Sequence, residues 1–423
     1  MIKIIDFNSI QPDEFFSRIK DKVDVTAPVK EIIENVIDKG DVALYEYAKK
    51  FDGVTLSSLT VSDEEVEEAF SSVSADYIEM IKRASENIRE FHLQQVRKGF
   101  KIEKDGVIVG QKVMPIENVG LYVPGGTASY PSTVLMDAIP AKIAGCKNIV
   151  MTSPPKKDGK LKPEVIVSAK IAGVDTIYKI GGAQAIAALA YGTETVLKVD
   201  KIVGPGNVFV AEAKRQVFGT VSIDMIAGPS EILVVADMTA NAKFVAADLL
   251  SQAEHDKNAS AVLVTDSIEL ATAVSNELER QIPLLERSEI ARVSVDVNGK
   301  IILTDDLNLA FEVANTIAPE HLEICVDEPF EYLDKVTNAG SIFLGHYCPE
   351  AMGDYYAGTN HTLPTSGTAR FSSPLSVDDF IKKSQYIYYD KKALEKVKED
   401  VEIFAESEGL TAHKKSVSVR FEK

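Results

Sequence analysis

The 423 residues hold only three cysteines, Cys146, Cys325 and Cys348. They are too few and too scattered for a disulfide framework, and without a CxxC pair there is no thiolate metal or redox motif. No apolar run approaches a membrane span, and the N-terminal MIKIIDFNSIQPDEF lacks a stretch long enough for a signal peptide, so the expectation is a cytoplasmic protein. Basic residues are also scarce, 46 against 64 acidic ones, for a net charge of −18. That balance argues against nucleic acid and anionic membrane as partners, and it requires backbone amides to hold any phosphate. The dinucleotide fingerprint GxGxxG and the P-loop GxxxxGK[ST] are both missing. So are low-complexity tracts and any obvious internal repeat.

What is present describes a globular chain of several cores, with 45% hydrophobic and 26% charged residues. Short β-branched runs alternate with helical patterns, the signature of α/β units on a largely parallel sheet. In the second half, residues 259–266, 300–305, 322–326 and 341–345 read as strands. IELATAVSNELERQI, LNLAFEVANTI and FEYLDKVTNA read as the helices between them. Glu320 and His321 then fall at a helix-to-strand junction, and Asp354 in the loop after the last strand, where open sheets commonly place chemistry.

Between about 119 and 235 the texture changes to apolar runs that each end in a glycine turn: VGLYVPGG, IYKIGGAQ, KIVGPGN and IDMIAGPS. Glycine supplies such turns whether or not a ligand is near. Each following helix is expected to begin with a polar residue (Thr127, Gln184, Asn207, Ser230), and free amides at helix N-termini suit a nucleotide's phosphates.

The ends read as appendages. Residues 1–23 carry a weak amphipathic segment, and residues 373 onward read as two helices with a basic tail. In DKKALEKVKEDVEIFAESEGLTAH the apolar stripe Leu394, Val397, Val401, Phe404 continues to Glu408, a carboxylate where a hydrophobe belongs. Gly409 stops that helix and His413 follows. A terminal helical arm docks on a core, its own or a partner's.

The most informative segment is SQAEHD, 251–256. It closes the helical pattern KFVAADLLSQAEHD, whose apolar face carries Val245 and Leu249 and ends in Gln252 and His255, three residues apart on that face. Alone, the pair would simply reach water. Later in the chain stand Glu320, His321, Asp354, His361, Glu408 and His413. Of these, His255, Asp354 and His413, with Gln252 as a neutral oxygen donor, form a reasonable set for a catalytic zinc with open positions. Glu320 and His321 would supply a base and an acid. These groups make a zinc hydrolase as readily as a dehydrogenase, and composition and spacing do not choose.

SQAEHD, GGAQAIAALAYGTE, VGPGN, AGPSE, APEHLE, GDYYAGTNHTLPTSGTARF and EGLTAH, in that order, resemble the histidinol dehydrogenase family from about residue 20 to the C-terminus. The resemblance implies two incomplete Rossmann-like α/β domains with mostly parallel sheets, plus small N-terminal and C-terminal helical appendages. The expected boundaries are an appendage over 1–23, a catalytic domain over 24–122 and 233–372, a nucleotide domain over 123–232, and an arm over 373–423 that reaches across a homodimer. It implies one zinc per subunit on Gln252, His255, Asp354 and His413, with Glu320 and His321 as the catalytic pair. Ser230, His361 and Glu408 would join the zinc ligands and His321 around the substrate, L-histidinol, and Tyr122, Gln184 and Asn207 would contact NAD. The implied reaction oxidises L-histidinol through L-histidinal to L-histidine with two NAD and one water. The rival readings are a related zinc/NAD dehydrogenase of another small alcohol, a zinc hydrolase, and a non-enzymatic metal-binding protein.

Overall fold

The computed structural model describes residues 1–9, 24–125 and 130–422. The chain folds as two units: Met1–Gln95 with Ile116–Phe380, and Val96–Pro115 with Ile381–Lys423. Fourteen strands are described: β1 (Lys3–Asp6), β2 (Phe100–Lys104), β3 (Val107–Pro115), β4 (Asn118–Tyr122), β5 (Asn148–Thr152), β6 (Thr176–Tyr178) and β7 (Lys201–Val203), then β8 (Ser222–Ile223), β9 (Glu231–Ala236), β10 (Ser260–Thr265), β11 (Lys300–Leu303), β12 (His321–Cys325), β13 (Ser341–Leu344) and β14 (Ile381–Tyr389). The helices that bear on function are α1 (Pro131–Ala144), α2 (Gly182–Tyr191), α3 (Val208–Val217), α4 (Ala242–Ala253), α5 (Leu307–Ile317), α6 (Glu350–Tyr355), α7 (Lys391–Ser407) and α8 (Thr411–Ser418).

The larger unit holds two parallel sheets. One runs β6-β5-β4-β7-β8, the other β1-β11-β10-β9-β12-β13. Their strands are buried on both faces and read as apolar runs, EILVVA in β9 and SAVLVT in β10, because helices cover both sides of a parallel sheet. In the five-stranded sheet the chain moves outward from β4 to β6 and then returns to β7 on β4's other side. The strand order therefore reverses between β4 and β7, the kind of crevice in which doubly wound sheets take nucleotides. In the six-stranded sheet the reversal lies between β9 and β12.

The fold class is the one read from the sequence, with local differences. Residues 3–6, expected in an appendage, form an edge strand in parallel register with β11 (Lys3↔Lys300), and Ile2 is buried in the core beside them. Phe7–Ser9 follow as a 3-10 turn, and residues 10–23 of the weak amphipathic segment lie outside the described residues. β4 ends at Tyr122 yet belongs to the five-stranded sheet, so that sheet begins before the expected boundary at 123. FEYLDKVTNA forms only a 3-10 stretch, Pro329–Lys335, opened by a proline that its helical pattern ignored.

The smaller unit is a β14-β3-β2 antiparallel sheet followed by α7 and α8. The arm was expected to be helical throughout. Instead β14 pairs with β3 along nine residues, from Ile381↔Pro115 to Tyr389↔Val107. Both faces of IKKSQYIYY are largely exposed, so no inside-outside alternation marked it as a strand.

Candidate active site

Glu231, His321 and Ser341 open β9, β12 and β13 at the amino edge of the six-stranded sheet, where His321 pairs with Ile232 on one side and Ser341 on the other. The backbone of Glu231 holds both members of the expected catalytic pair. Its N–H donates to Glu320 Oε2 at 2.9 Å, and its carbonyl lies 2.9 Å from His321 Nδ1. A carbonyl can only accept, so Nδ1 carries the proton and Nε2 presents a lone pair. That Nε2 is buried with no hydrogen-bond partner among the described residues. The chain reaches this position through Ala318 at φ +52°, a left-handed conformation unusual for a side-chain-bearing residue, which ends α5 and turns Glu320 onto the sheet edge.

Around Nε2 stand two carboxylates, with Asp354 Oδ1 at 3.9 Å and Glu350 Oε1 at 4.0 Å. Ligand atoms of His321, Glu350 and Asp354 all lie within 4.8 Å of one another, a group that could hold a metal ion. Burial, reinforced by the Glu350 charge, pushes the Asp354 carboxyl up to about 9. Burial also raises Glu320 well above the usual carboxylate range, with the Glu231, Asp354 and Glu350 charges adding to it. Glu350 goes the other way. Burial opposes its charge, but His321 and hydrogen bonds from Asp354, Ser251 and Gln252 outweigh that and hold it below its usual value. Burial lowers His321 and His255, disfavouring their protonated forms.

α4 ends at Ala253, so Gln252 lies in its last turn and His255 in the turn beyond, with the His255 N–H bonded to the Gln252 carbonyl at 3.1 Å. Val245, Leu249 and Gln252 are all buried, which makes Gln252 the polar end of an apolar face, as its spacing implied. Asp354 sits in the six-residue helix α6, not in a loop. His361 Nδ1 faces the Asp354 carbonyl at 3.1 Å, and its Nε2 accepts from Thr133 Oγ1 of α1 at 3.2 Å; burial pushes its pKa down to about 4. Beside it Asn360 donates to the Met136 carbonyl at 2.7 Å and Thr362 to Asp137 Oδ1 at 3.0 Å, fastening this segment along α1. The helix that follows β4 in the five-stranded sheet thus meets the amino edge of the six-stranded one. Ser230 leads directly into β9 and starts no helix, contrary to the expectation for the fourth glycine turn.

Tyr122 and Asn207 flank the β4/β7 crevice. The Tyr122 hydroxyl accepts from the Gly182 N–H at 3.1 Å at the start of α2, and its burial pushes its pKa to about 12. Asn207 caps α3 by accepting from Phe209 N and Val210 N. Gln184 is buried in the first turn of α2. Gly204, at φ +112°, has no room for a Cβ, which would collide with the Tyr122 carbonyl. Lys214 and Asp224, both buried, form an ion pair around this glycine: the ammonium donates to the Gly204 carbonyl at 2.9 Å, and Asp224 Oδ2 accepts its N–H at 2.7 Å. Thr127 lies outside the described residues.

Glu408 and His413 belong to the smaller unit. Glu408 caps α7, His413 lies in α8, and both are exposed on a groove of about 370 Å³ that they line with Val401, Phe404, Ala405 and Leu410.

The family model described as Histidinol dehydrogenase matches residues 17–421. A histidinol dehydrogenase from Clostridium acetobutylicum is 56% identical over 427 residues, covering 100% of this chain and 99% of its own. One from Streptococcus mutans is 56% identical over 405 residues, 96% of this chain and 94% of the relative. A crystal structure of histidinol dehydrogenase from Elizabethkingia anophelis superposes with a TM-score of 0.95 at 41% identity, covering 99% and 98% of the two chains. The chain belongs to the histidinol dehydrogenase family. Dehydrogenase chemistry, not hydrolysis, is the frame for the buried groups. Of the residues expected to work together in such an enzyme, Glu320, His321, Asp354 and His361 converge through direct contacts, His255 acts on the same cluster electrostatically, and Gln252 is buried at the end of α4 beside Ser251, which meets Glu350. Glu350 was missed. Its surroundings, CPEAMGDYY, read as a polar loop, and only packing against β12 and α4, both distant in sequence, buries it.

Proposed function

We propose that this chain oxidises L-histidinol to L-histidine in two steps within one site. The observation that carries this reading is the Glu320–His321 pair clamped by the backbone N–H and carbonyl of a single residue, with a free imidazole lone pair facing buried carboxylates, in a chain of this family. Two orphaned buried atoms, His321 Nε2 and Glu350 Oε1, ringed by histidine and carboxylate donors, fit a divalent cation. Gln252, His255 and Asp354, with His413 from a second copy, would hold zinc. When bound, the metal would fix the substrate's nitrogens, and so its reacting carbon, against the catalytic pair. NAD, at the β4/β7 crevice beside Tyr122, Gln184 and Asn207, would supply the hydride acceptor for each oxidation.

His321 Nε2 takes the hydroxyl proton as the first hydride leaves, which yields the aldehyde. Glu320, a desolvated carboxylate and therefore a stronger base than an exposed one, takes a proton from water as it adds to that aldehyde. As water adds, His321 returns its proton to the former carbonyl oxygen, and it then takes a proton from the hydrated form as the second hydride leaves. Ser230, His361 and Glu408 complete the substrate's surroundings.

The exposed apolar side chains beside Glu408 and His413, Val401, Phe404 and Leu410, support a homodimer in which each arm completes its partner's site. No helix among the described residues is long and apolar enough to cross a membrane, and we place the reaction in the cytoplasm. The number of NADH formed per histidinol consumed tests the reading.

A further inference from the structure

Glu350 is nearly inaccessible, with 3% of its surface exposed, and it joins the three elements that carry the site. Its own N–H donates to Glu323 Oε1 at 2.8 Å, which fixes the start of α6 to β12, the strand that begins with His321. Its carboxylate Oε2 lies 2.9 Å from Ser251 Oγ, a hydroxyl shared with the Asp248 carbonyl of α4 at 2.8 Å. Ser251 precedes Gln252, and Asp354 lies one turn along α6 from Glu350. Through its N–H and its carboxylate, this one residue therefore joins the helix of Gln252, the helix of Asp354 and the strand of His321. Its other oxygen, Oε1, has no hydrogen-bond partner among the described residues and faces the same space as His321 Nε2. An unpaired buried carboxylate oxygen is costly, so a partner is expected when the site is filled.

Gln252 is buried in the same last turn of α4 as Ser251, so the contact between Glu350 and Ser251 fixes the turn from which the Gln252 amide projects. We propose that Glu350 is a positioning residue for the metal: through Ser251 and its own place in α6 it ties the turn of Gln252 and the helix of Asp354 into one rigid arrangement around a divalent cation. This rests on the zinc reading above. It goes beyond it in making the geometry of the ligand set depend on a residue outside that set. Groups of this kind typically change metal affinity about 10- to 100-fold when replaced.

The test uses the full-length protein, stripped with a chelator and titrated with zinc against a competing chromophoric chelator. Unfolding temperatures are measured with and without metal. Glu350→Gln keeps the shape of the side chain but removes the charge that meets Ser251 Oγ and faces His321 Nε2. The expected result is zinc affinity down about 10- to 100-fold with the metal-free unfolding temperature close to wild type. Ser251→Ala, which removes only the hydroxyl that anchors Glu350, is expected to weaken zinc several-fold in the same direction, and it decides the matter if Glu350→Gln fails to fold. With zinc present in excess, histidinol KM is expected to return toward wild type in both variants. Wild-type zinc affinity in the variant that folds overturns the proposal while the zinc reading stands. A wild-type protein that takes up no zinc overturns both.

Discussion

His321 Nε2 and Glu350 Oε1 stand 4.0 Å apart, both buried and neither with a hydrogen-bond partner among the described residues. Because Nδ1 spends its proton on the Glu231 carbonyl, the free lone pair of His321 points inward, at the one place where a proton acceptor is useful to a bound alcohol. In the proposed reaction the neighbouring Glu320 has a separate duty, and separate duties can be measured separately.

Glu320→Gln keeps the acceptor for the Glu231 N–H but cannot take a proton from water. In a single turnover the first NADH is expected to form at close to the wild-type rate, with the second slowed by about 10²- to 10⁴-fold. Equal slowing of both would remove Glu320 from the hydration step.

Lys214→Ala leaves the Asp224 carboxylate buried without its counter-ion and strips the Gly204 carbonyl of its donor. Breaking a buried pair on one side costs about 3–5 kcal/mol, readable in urea unfolding. Since the pair surrounds the loop after β7, the NAD KM should rise more than the histidinol KM. A variant as stable as the parent would mean the pair contributes little.

Asp137 offers a pH signature away from the chemistry. Burial, followed by the Asp224 charge, pushes its carboxyl well above the usual range. The folded protein thus holds a proton that the unfolded chain loses near pH ~3.9. Its contribution to stability is complete below that pH and is lost as pH rises toward the folded value. Asp137→Asn keeps an acceptor for Thr362 and removes the titration. The variant's unfolding temperature relative to wild type should climb as pH rises above about 3.9; a constant difference would contradict the assignment.

Subunit exchange reads the dimer. Inactive Gln252→Ala and His413→Ala variants, mixed and allowed to exchange, form hybrids with one intact site of two. Activity should recover to about a quarter of wild type for random pairing. If exchange is verified and no activity returns, His413 serves its own chain.

Much of this was legible in the sequence, for physical reasons. Glu320, His321, Gln252 and His255 stand out because polar groups interrupt apolar patterns where an idle charge would be costly. The glycine turns after β4, β6 and β7 marked strand ends because only glycine tolerates the close approach seen at Gly204. Glu350 was invisible, since its burial comes from β12 and α4 packing over a segment that reads as polar loop. So was β14, whose pairing partner lies some 270 residues earlier in the chain. Glu320 and His321 stand at the helix-to-strand junction read from the sequence. It lies at the amino edge of its sheet, not the carboxyl edge that open sheets generally use, and is met there by α1 from the five-stranded sheet.

The central claim is that one site performs both oxidations without releasing the aldehyde. Purified protein given limiting L-histidinol, excess NAD and zinc should form two NADH for each histidinol consumed, with L-histidine as the product and no activity after chelation of the metal. One NADH per histidinol, or product formed without NAD, would contradict the account.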